Sequence, residues 1–492
     1  MLGRLLKHTS TYTIGNLLLT AAGLVSFPIL TRTFSVADYG ILGLVGATLT
    51  LLVACAKLGI QQSVVRFYAE VRAGKLNVTQ RQYVSTVLLG MGTVGAIAAA
   101  LWAPISQILP AALWNDPRVS ALLLLTSVLV LVRVLDSAML NILRAEQRSG
   151  LYTVYSVARR YAVLGAAIAA ALWVLPGLTG FYAGTVVLES CATLTLLVLM
   201  FRRYGIGRSE FSPALFRSMV AFGIPMIAFE IGGILLNIGD RYVIQAHLGA
   251  DTLGVYSAAY NLCEYVEAIL INSFGQAITP MIARSWEESG PRATREFIEQ
   301  VLHFYLIIAA AIVAGLAATG AGVLEFLASS RYAEGRIVIP LIIAGRVCDG
   351  ALPIFAAGLF LQKRTRALML NVVSCAALNL MLNILLVPRI GMVGSAFATL
   401  VSYFVLAFAY LRSSRDHLPI RFPLGHAAKC CAMGLVMYVV LEQIPVADSL
   451  YGLAAKMALG ALIYVLLAVA LDSRTRQALS ALWARRLKLR GT

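Results

Sequence analysis

Residues 39–60 read YGILGLVGATLTLLVACAKLGI, an apolar run interrupted by one charge, Lys57. At ~1.5 Å of rise per residue, ~20 such residues cross the hydrocarbon core of a bilayer. The run is continuous rather than alternating, which specifies a helix and excludes a strand of a membrane barrel. Outward from it, blocks of the same kind follow one another from Thr9 to Leu471 with short polar connectors between them. There are about 14 of them. Composition agrees: 60% of residues are hydrophobic, 13% are charged, and mean hydropathy is +0.82. No soluble domain needs so much apolar surface. The chain reads as an all-α, polytopic membrane protein.

Charge gives the orientation. The formal net charge of +17 would suit a nucleic-acid binder, but its distribution does not. About 30 of the 40 Lys and Arg fall in the termini and connectors on the N-terminal side, among them Arg66, Arg72, Arg144, Arg148, Lys363 and Arg364. About 6 fall on the opposite side. Basic connectors stay in the cytoplasm, so both termini are expected there, and nucleic acid is not an expected partner. Met1 to His8 is a short basic lead without a cleavage site, so no signal peptide is expected. The seven cysteines fall in or beside spans and show no metal-ligand spacing, so neither a disulfide framework nor a metal is expected. Past Asp472, Leu479, Leu482 and Trp483 alternate with Arg residues at helical spacing, as in an amphipathic helix lying on an anionic leaflet or a solvated basic tail.

The sequence repeats at a nearly constant offset. Arg133-Val134-Leu135-Asp136 returns as Arg346-Val347-Cys348-Asp349, Ala37-Asp38 as Ala250-Asp251, and Gly177-Leu178-Thr179-Gly180 as Gly391-Met392-Val393-Gly394. Gln147-Arg148 resembles Gln362-Lys363. Two pseudo-symmetric six-helix lobes follow, residues 1–208 and 209–414, with an accessory helix pair at 415–471 and a basic tail at 472–492. Six spans per lobe is an even number, so both lobes enter the membrane the same way round and enclose a cavity between them.

The chain holds no P-loop, no HExxH, no Ser/His/Asp arrangement in one loop and no Rossmann fingerprint with its strand, and no outer connector is large enough to build a polymerase or ligase site. No catalytic residue and no cofactor is expected, and the chain does not read as an enzyme. With no nucleotide site, the energy for transport comes from an ion gradient or from substrate flux.

Ionisable groups at membrane depth are costly and face a cavity or a partner. Glu230, Asn237 and Arg241 share one face of a span at 215–239. Tyr256, Tyr260, Glu264 and Glu267 share one face of the next, at 251–274. With Lys57 these are the candidate cavity residues: a cation there attracts an anionic head, and a buried carboxylate carries a coupling proton. Ion pairing between helices is the alternative for the whole set. Arg133 with Asp136, and Arg346 with Asp349, are three residues apart and are expected to satisfy each other within one helix, as structural ties or secondary transport sites. Glu189 and Lys456 stand alone in their spans and carry no assignment. Pro28 and Pro225 are candidate kinks, and Gly90, Gly92 and Gly95 a close helix contact.

Several segments resemble the polysaccharide transport family of the multidrug/oligosaccharidyl-lipid/polysaccharide exporter superfamily. They are Phe27-Pro28-Ile29-Leu30-Thr31-Arg32, Asp38-Tyr39-Gly40, Leu58-Gly59-Ile60, and Leu378-Asn379-Leu380 through Asn383 into Val387-Pro388-Arg389-Ile390-Gly391. The resemblance covers essentially the whole chain. It implies an alternating-access flippase for undecaprenyl-pyrophosphate-linked oligosaccharide units in the bacterial inner membrane, serving O-antigen, exopolysaccharide or capsule synthesis. A proton or sodium gradient is the expected form of any ion coupling, and a polymerase and chain-length proteins of the same pathway are the expected protein partners. The resemblance carries over no catalytic residue. The alternatives are an ion-coupled multidrug or metabolite exporter of the same superfamily, a polymerase or ligase of the pathway, and a membrane scaffold.

Overall fold

The computed structural model describes residues 2–109, 114–416, 418–444 and 450–477, with side chains described at all of these except 2–13, 225, 272–274, 276 and 277. Every regular element among them is helical. In chain order these are α1 Leu2–Thr33, α2 Val36–Ala56, α3 Ile60–Arg72, α4 Gln80–Ile108, α5 Pro117–Ala145, α6 Ser149–Ala169 and α7 Leu178–Tyr204. They continue as α8 Pro213–Val266, α9 Asn272–Leu327, α10 Ile339–Phe355, α11 Ala357–Leu361, α12 Thr365–Ile390, α13 Met392–Ser414, α14 Leu424–Glu442 and α15 Leu450–Leu471. The residues 478–492 expected to form the amphipathic tail lie outside the described set.

Twelve described helices are long and apolar enough to cross a bilayer, and thirteen with the bent stretch Pro213–Ile224 plus Met226–Ile271. The expectation of about fourteen divides that stretch in two, and Gly249 marks the place: its φ of 80° and ψ of 178° are non-helical. The bend between its first two pieces is 46° and falls at Pro225, the expected kink, whose side chain is not among those described. Many large apolar side chains face outward, Trp173, Phe404 and Phe408 among them, which is stable only where lipid is the solvent.

Sequence chemistry sets the helix starts. Ser35 Oγ accepts from the Asp38 amide at 3.1 Å, and Thr79 Oγ1 accepts from the Gln82 amide at 3.1 Å. Asp116 caps α5 with Pro117 behind it. Each side chain satisfies a backbone N–H that the first helical turn leaves without a partner.

The chain packs as two compact units, Met1–Ser257 with Met369–Ala398, and Ala258–Leu368 with Thr399–Thr492. In the first unit α4 lies against α5 as its glycines suggest: a Cβ at Gly95 would sit 3.2 Å from the Leu131 Cα, and one at Gly92 3.3 Å from the Leu135 side chain. Helices α2 and α8 touch backbone to backbone, since a Cβ at Gly40 would collide with the Ala250 carbonyl and one at Gly254 with the Val36 carbonyl. The second unit includes a core built from Ala314 and Ala318 of α9, Cys430, Met433, Met437 and Leu441 of α14, and Tyr464 and Ala468 of α15.

The repeated motifs have matching local geometry. Gly177 and Gly391 have φ of 91° and 65°, and three residues on, Gly180 and Gly394 press against backbone carbonyls. Each Gln-containing connector also holds one left-handed residue, Gln147 with φ of 60° and, one position later in the second copy, Lys363 with 55°.

Candidate functional site

Helix α2 ends at Ala56 because Leu58 and Gly59 turn left-handed, with φ of 49° and 64°. Lys57 is the last residue before that turn, and its side chain projects from the end of the helix into a cavity of about 410 Å³ within the first unit. Four further segments line it. Helix α3 supplies Gln61, α8 supplies Glu230, α5 supplies Arg133, Asp136, Asn141 and Arg144, and α6 supplies Tyr152 and Arg159. With Ser137 and Leu140, which also line it, the α5 residues fall at successive turns on one helical face. No histidine or cysteine lines the cavity among the described residues.

The charges are organised from behind. Glu189 of α7 accepts from Arg133 Nε and Nη2 at 2.9 and 3.0 Å, a bidentate pair. Asp136 accepts from the Tyr155 hydroxyl at 2.7 Å and pairs with Arg159 Nη2 at 3.2 Å. Arg159 Nη1 is buried without a hydrogen bond, 3.9 Å from Glu189. Glu230 accepts from Gln61 Nε2 at 2.7 Å, and Arg144 meets the Tyr152 hydroxyl. No carboxylate lies within ion-pair distance of the Lys57 ammonium among the described residues. The lining therefore holds four cations, Lys57, Arg133, Arg144 and Arg159, against two carboxylates, Asp136 and Glu230. Such a surface favours an anionic guest, since Lys57 and Arg144 meet no carboxylate within ion-pair distance among the described residues and can donate to phosphate-like oxygens.

Two expectations are corrected here. Arg133 and Asp136 do not tie to each other within α5; they diverge to α7 and α6, where Glu189 and Arg159 offer partners with better geometry. Glu189 is not isolated, because it carries Arg133; nor is Lys456, which donates to the Ile444 carbonyl at 3.0 Å.

The second unit holds the other repeat of the motif as a separate cluster. Arg346 is buried, in contact with Glu267, and its Nη1 lies 3.5 Å from Asp349, so here the pair within one helix does form. The guanidinium carbon sits 5.5 Å from the Tyr260 ring centre. Glu264, one turn before Glu267, is not within ion-pair distance of Arg346 among the described residues. Asn237 and Arg241 share a helix with Glu230 but do not line the cavity; Arg241 is roughly 16 Å further along the axis. The sequence reading missed Arg144, Asn141, Tyr152 and Arg159 as lining residues, although Arg144 lies about three helical turns from Arg133 on the same face of α5. Asn379 and Asn383, within a segment that carried the resemblance, are fully buried, and Asn383 Nδ2 donates to the Asn379 carbonyl at 2.9 Å. An apolar cleft of about 520 Å³ lies among α9, α10 and α14, lined by Ala310, Ala314, Ala344, Gly434 and Leu435.

The fold is similar to that of solved transporters. The lipid II flippase MurJ in an inward closed conformation superposes with a TM-score of 0.73 at 14% identity, covering 94% of this chain and 98% of that one. An inward-facing multidrug resistance MATE family transporter of the MOP superfamily gives 0.63 at 13% identity, covering 82% and 94%. A MATE transporter of Vibrio cholerae gives 0.58 at 14% identity, covering 84% and 97%. In sequence, an uncharacterised membrane protein of Methanocaldococcus jannaschii is 22% identical over 214 residues, 42% of this chain and 41% of that relative, so the match spans about two fifths of the relative's length. The family model described as polysaccharide biosynthesis protein matches residues 5–286, more than half of the chain and all of the cavity. With its all-helical, multi-pass transporter fold, this chain belongs to the polysaccharide biosynthesis protein family.

Proposed function

We propose that this protein is a flippase that carries a lipid-linked oligosaccharide across the bacterial inner membrane, the unit being joined to undecaprenyl through pyrophosphate. The observation that carries this reading is the cavity of the first unit, where four cations outnumber two carboxylates and Lys57 has no carboxylate in ion-pair range. A pyrophosphate bears the charge and the oxygen geometry that this lining complements. Family membership supports a place in polysaccharide synthesis, and the flippase of similar fold acts on lipid II, a lipid-linked substrate. In this proposal both termini are cytoplasmic, and lobes 1–208 and 209–414 rock to open the substrate path first to one side and then to the other. Helices 415–471 are accessory. A proton or sodium gradient supplies direction, and the product is an O-antigen, exopolysaccharide or capsule unit handed to a polymerase and chain-length proteins. No bond is made or broken.

The test is a strain lacking the protein. Lipid-linked repeat units are expected to accumulate on the cytoplasmic leaflet, and unchanged pools would overturn the reading. A second reading, an ion-coupled multidrug or metabolite exporter of the same superfamily, is favoured by Asp136 and Glu230 in the lining and by the MATE-like fold. It would show as increased drug susceptibility of the same strain with lipid-linked pools intact.

A further inference from the structure

The first unit holds a second polar pocket, of about 400 Å³, which shares no lining residue with the cavity of Lys57. Several helix ends meet there. Arg72 comes from the last turn of α3, Gln80 from the start of α4 and Arg203 from the last turn of α7. Glu146 and Arg148 come from the connector between α5 and α6. The rule of basic connectors accounts for arginines at span ends, but not for three of them lining one hollow.

Glu146 forms the floor. Its side chain is 4% exposed, and Oε1 accepts from Gln80 Nε2 at 3.0 Å and from the Tyr204 hydroxyl. Oε2 is buried without a hydrogen bond, with Arg148 Nε at 3.3 Å and Arg203 Nη2 at 3.6 Å. A committed guanidinium–carboxylate bond is about 2.7–2.9 Å long, as Arg133 makes to Glu189 at 2.9 Å. Arg148 and Arg203 are therefore drawn to Glu146 without being consumed by it, and their side chains stay 39% and 40% exposed. The Tyr204 ring, 5.1 Å from the Arg203 guanidinium carbon, helps to orient that side chain. Arg72, also exposed, has no carboxylate within ion-pair distance among the described residues. One carboxylate against three guanidiniums leaves a surplus of two positive charges, and because the carboxylate is buried, a guest meets the arginines.

The guest's chemistry follows from that count. A planar carboxylate offers two oxygens and a single charge. A terminal phosphate offers three oxygens and a charge of about −1.5 to −2 near neutral pH, which suits three guanidinium forks approaching from different helices. We propose that Arg72, Arg148 and Arg203 form a binding site for a terminal phosphate group, borne by a lipid head or by a soluble phosphate ester. The site does not rest on the flippase reading.

The full chain, purified in detergent without phosphate, is titrated calorimetrically with two probes. Sodium phosphate tests the soluble source. Short-chain phosphatidic acid, compared with short-chain phosphatidylcholine, tests the lipid source. Saturable binding of one equivalent of at least one phosphate probe is expected, and none of phosphatidylcholine. Arg72→Gln and Arg203→Gln should each weaken it at least about tenfold, the worth of one hydrogen bond to a charged group. Arg72 has no partner to lose, so the melting temperature of Arg72→Gln without phosphate should match the wild type and shows that the variant is folded. The same titrations in Lys57→Ala separate this pocket from the cavity. Absence of binding for both phosphate probes, wild-type affinity in folded Arg72→Gln, or binding that vanishes in Lys57→Ala while Arg72→Gln keeps it, would overturn the site.

Discussion

At the scale of single residues, Lys57 and Arg144 have no carboxylate within ion-pair distance among the described residues, whereas Arg133 pairs with Glu189 and Arg159 with Asp136. Removal of Lys57 should therefore cost function without disturbing packing. Lys57→Ala is expected to lower export of lipid-linked units by about 10- to 100-fold, the worth of one hydrogen bond to a charged group, while the protein inserts at normal levels; unchanged export would remove Lys57 from the mechanism. Arg133 behaves in the opposite way, because it is committed to Glu189. Glu189→Ala leaves a partly buried guanidinium without its partner and should destabilise the fold by about 3 kcal/mol, read as a lower melting temperature in detergent. The paired change Arg133→Met with Glu189→Leu should restore most of that loss. Gly59 is held by conformation as well as space: its φ of 64° disfavours any side chain, and a Cβ there would collide with the Gly223 carbonyl. These two effects explain why Leu58-Gly59-Ile60 stood out in the sequence before its geometry was known.

At the scale of elements, α5 shows how a membrane helix is both started and used. Asp116 accepts from the Arg118 amide at 2.9 Å and pairs with Arg118 Nη2 at 2.8 Å, and Arg118 Nη1 reaches Asp38 of α2 at 2.6 Å. The Arg118 side chain holds the Asp116 carboxyl below its usual range. A depressed folded value means the stabilisation is complete above an unfolded value of about 3.9 and fades as pH falls through the folded one. Asp116→Ala should lower the melting temperature at pH 7, where about 1 kcal/mol of capping is at stake, and flatten its decline below about pH 4. An unchanged acid limb would argue that other carboxylates set it. The inner face of α5 was only half legible. Arg133 and Asp136 interrupt an apolar run and announce themselves, as do Lys57 and Glu230. Arg144 and Arg159 fall near span ends, where a cation is equally well explained by the rule that keeps basic residues in the cytoplasm, so charge counting hid their place in the lining. The partners of Arg133 and Asp136 hid too, because Glu189 and Tyr155 come from helices with no local motif.

At the scale of the whole molecule, the apolar blocks made the fold legible, since lipid forces every backbone group into a helix and leaves little choice of class. The division at Gly249 was legible as well, because the polar stretch from Asp240 to Asp251 separates the spans read at 215–239 and 251–274. Residues brought together from far along the chain, such as Arg72, Glu146 and Arg203, left no trace in spacing. Orientation remains a statement about charge, and it is directly measurable: a reporter that fluoresces only in the cytoplasm, fused after Thr492, is expected to be bright, and a dark fusion would reverse the assigned topology. The meeting of Gly59 with Gly223 has one more consequence. The turn that carries Lys57 is locked, main chain to main chain, two residues from the point where α8 changes direction by 46°. Straightening that bend would act as a crank on the turn, so the ammonium swings with the helix and its reach is geared to the angle of its neighbour.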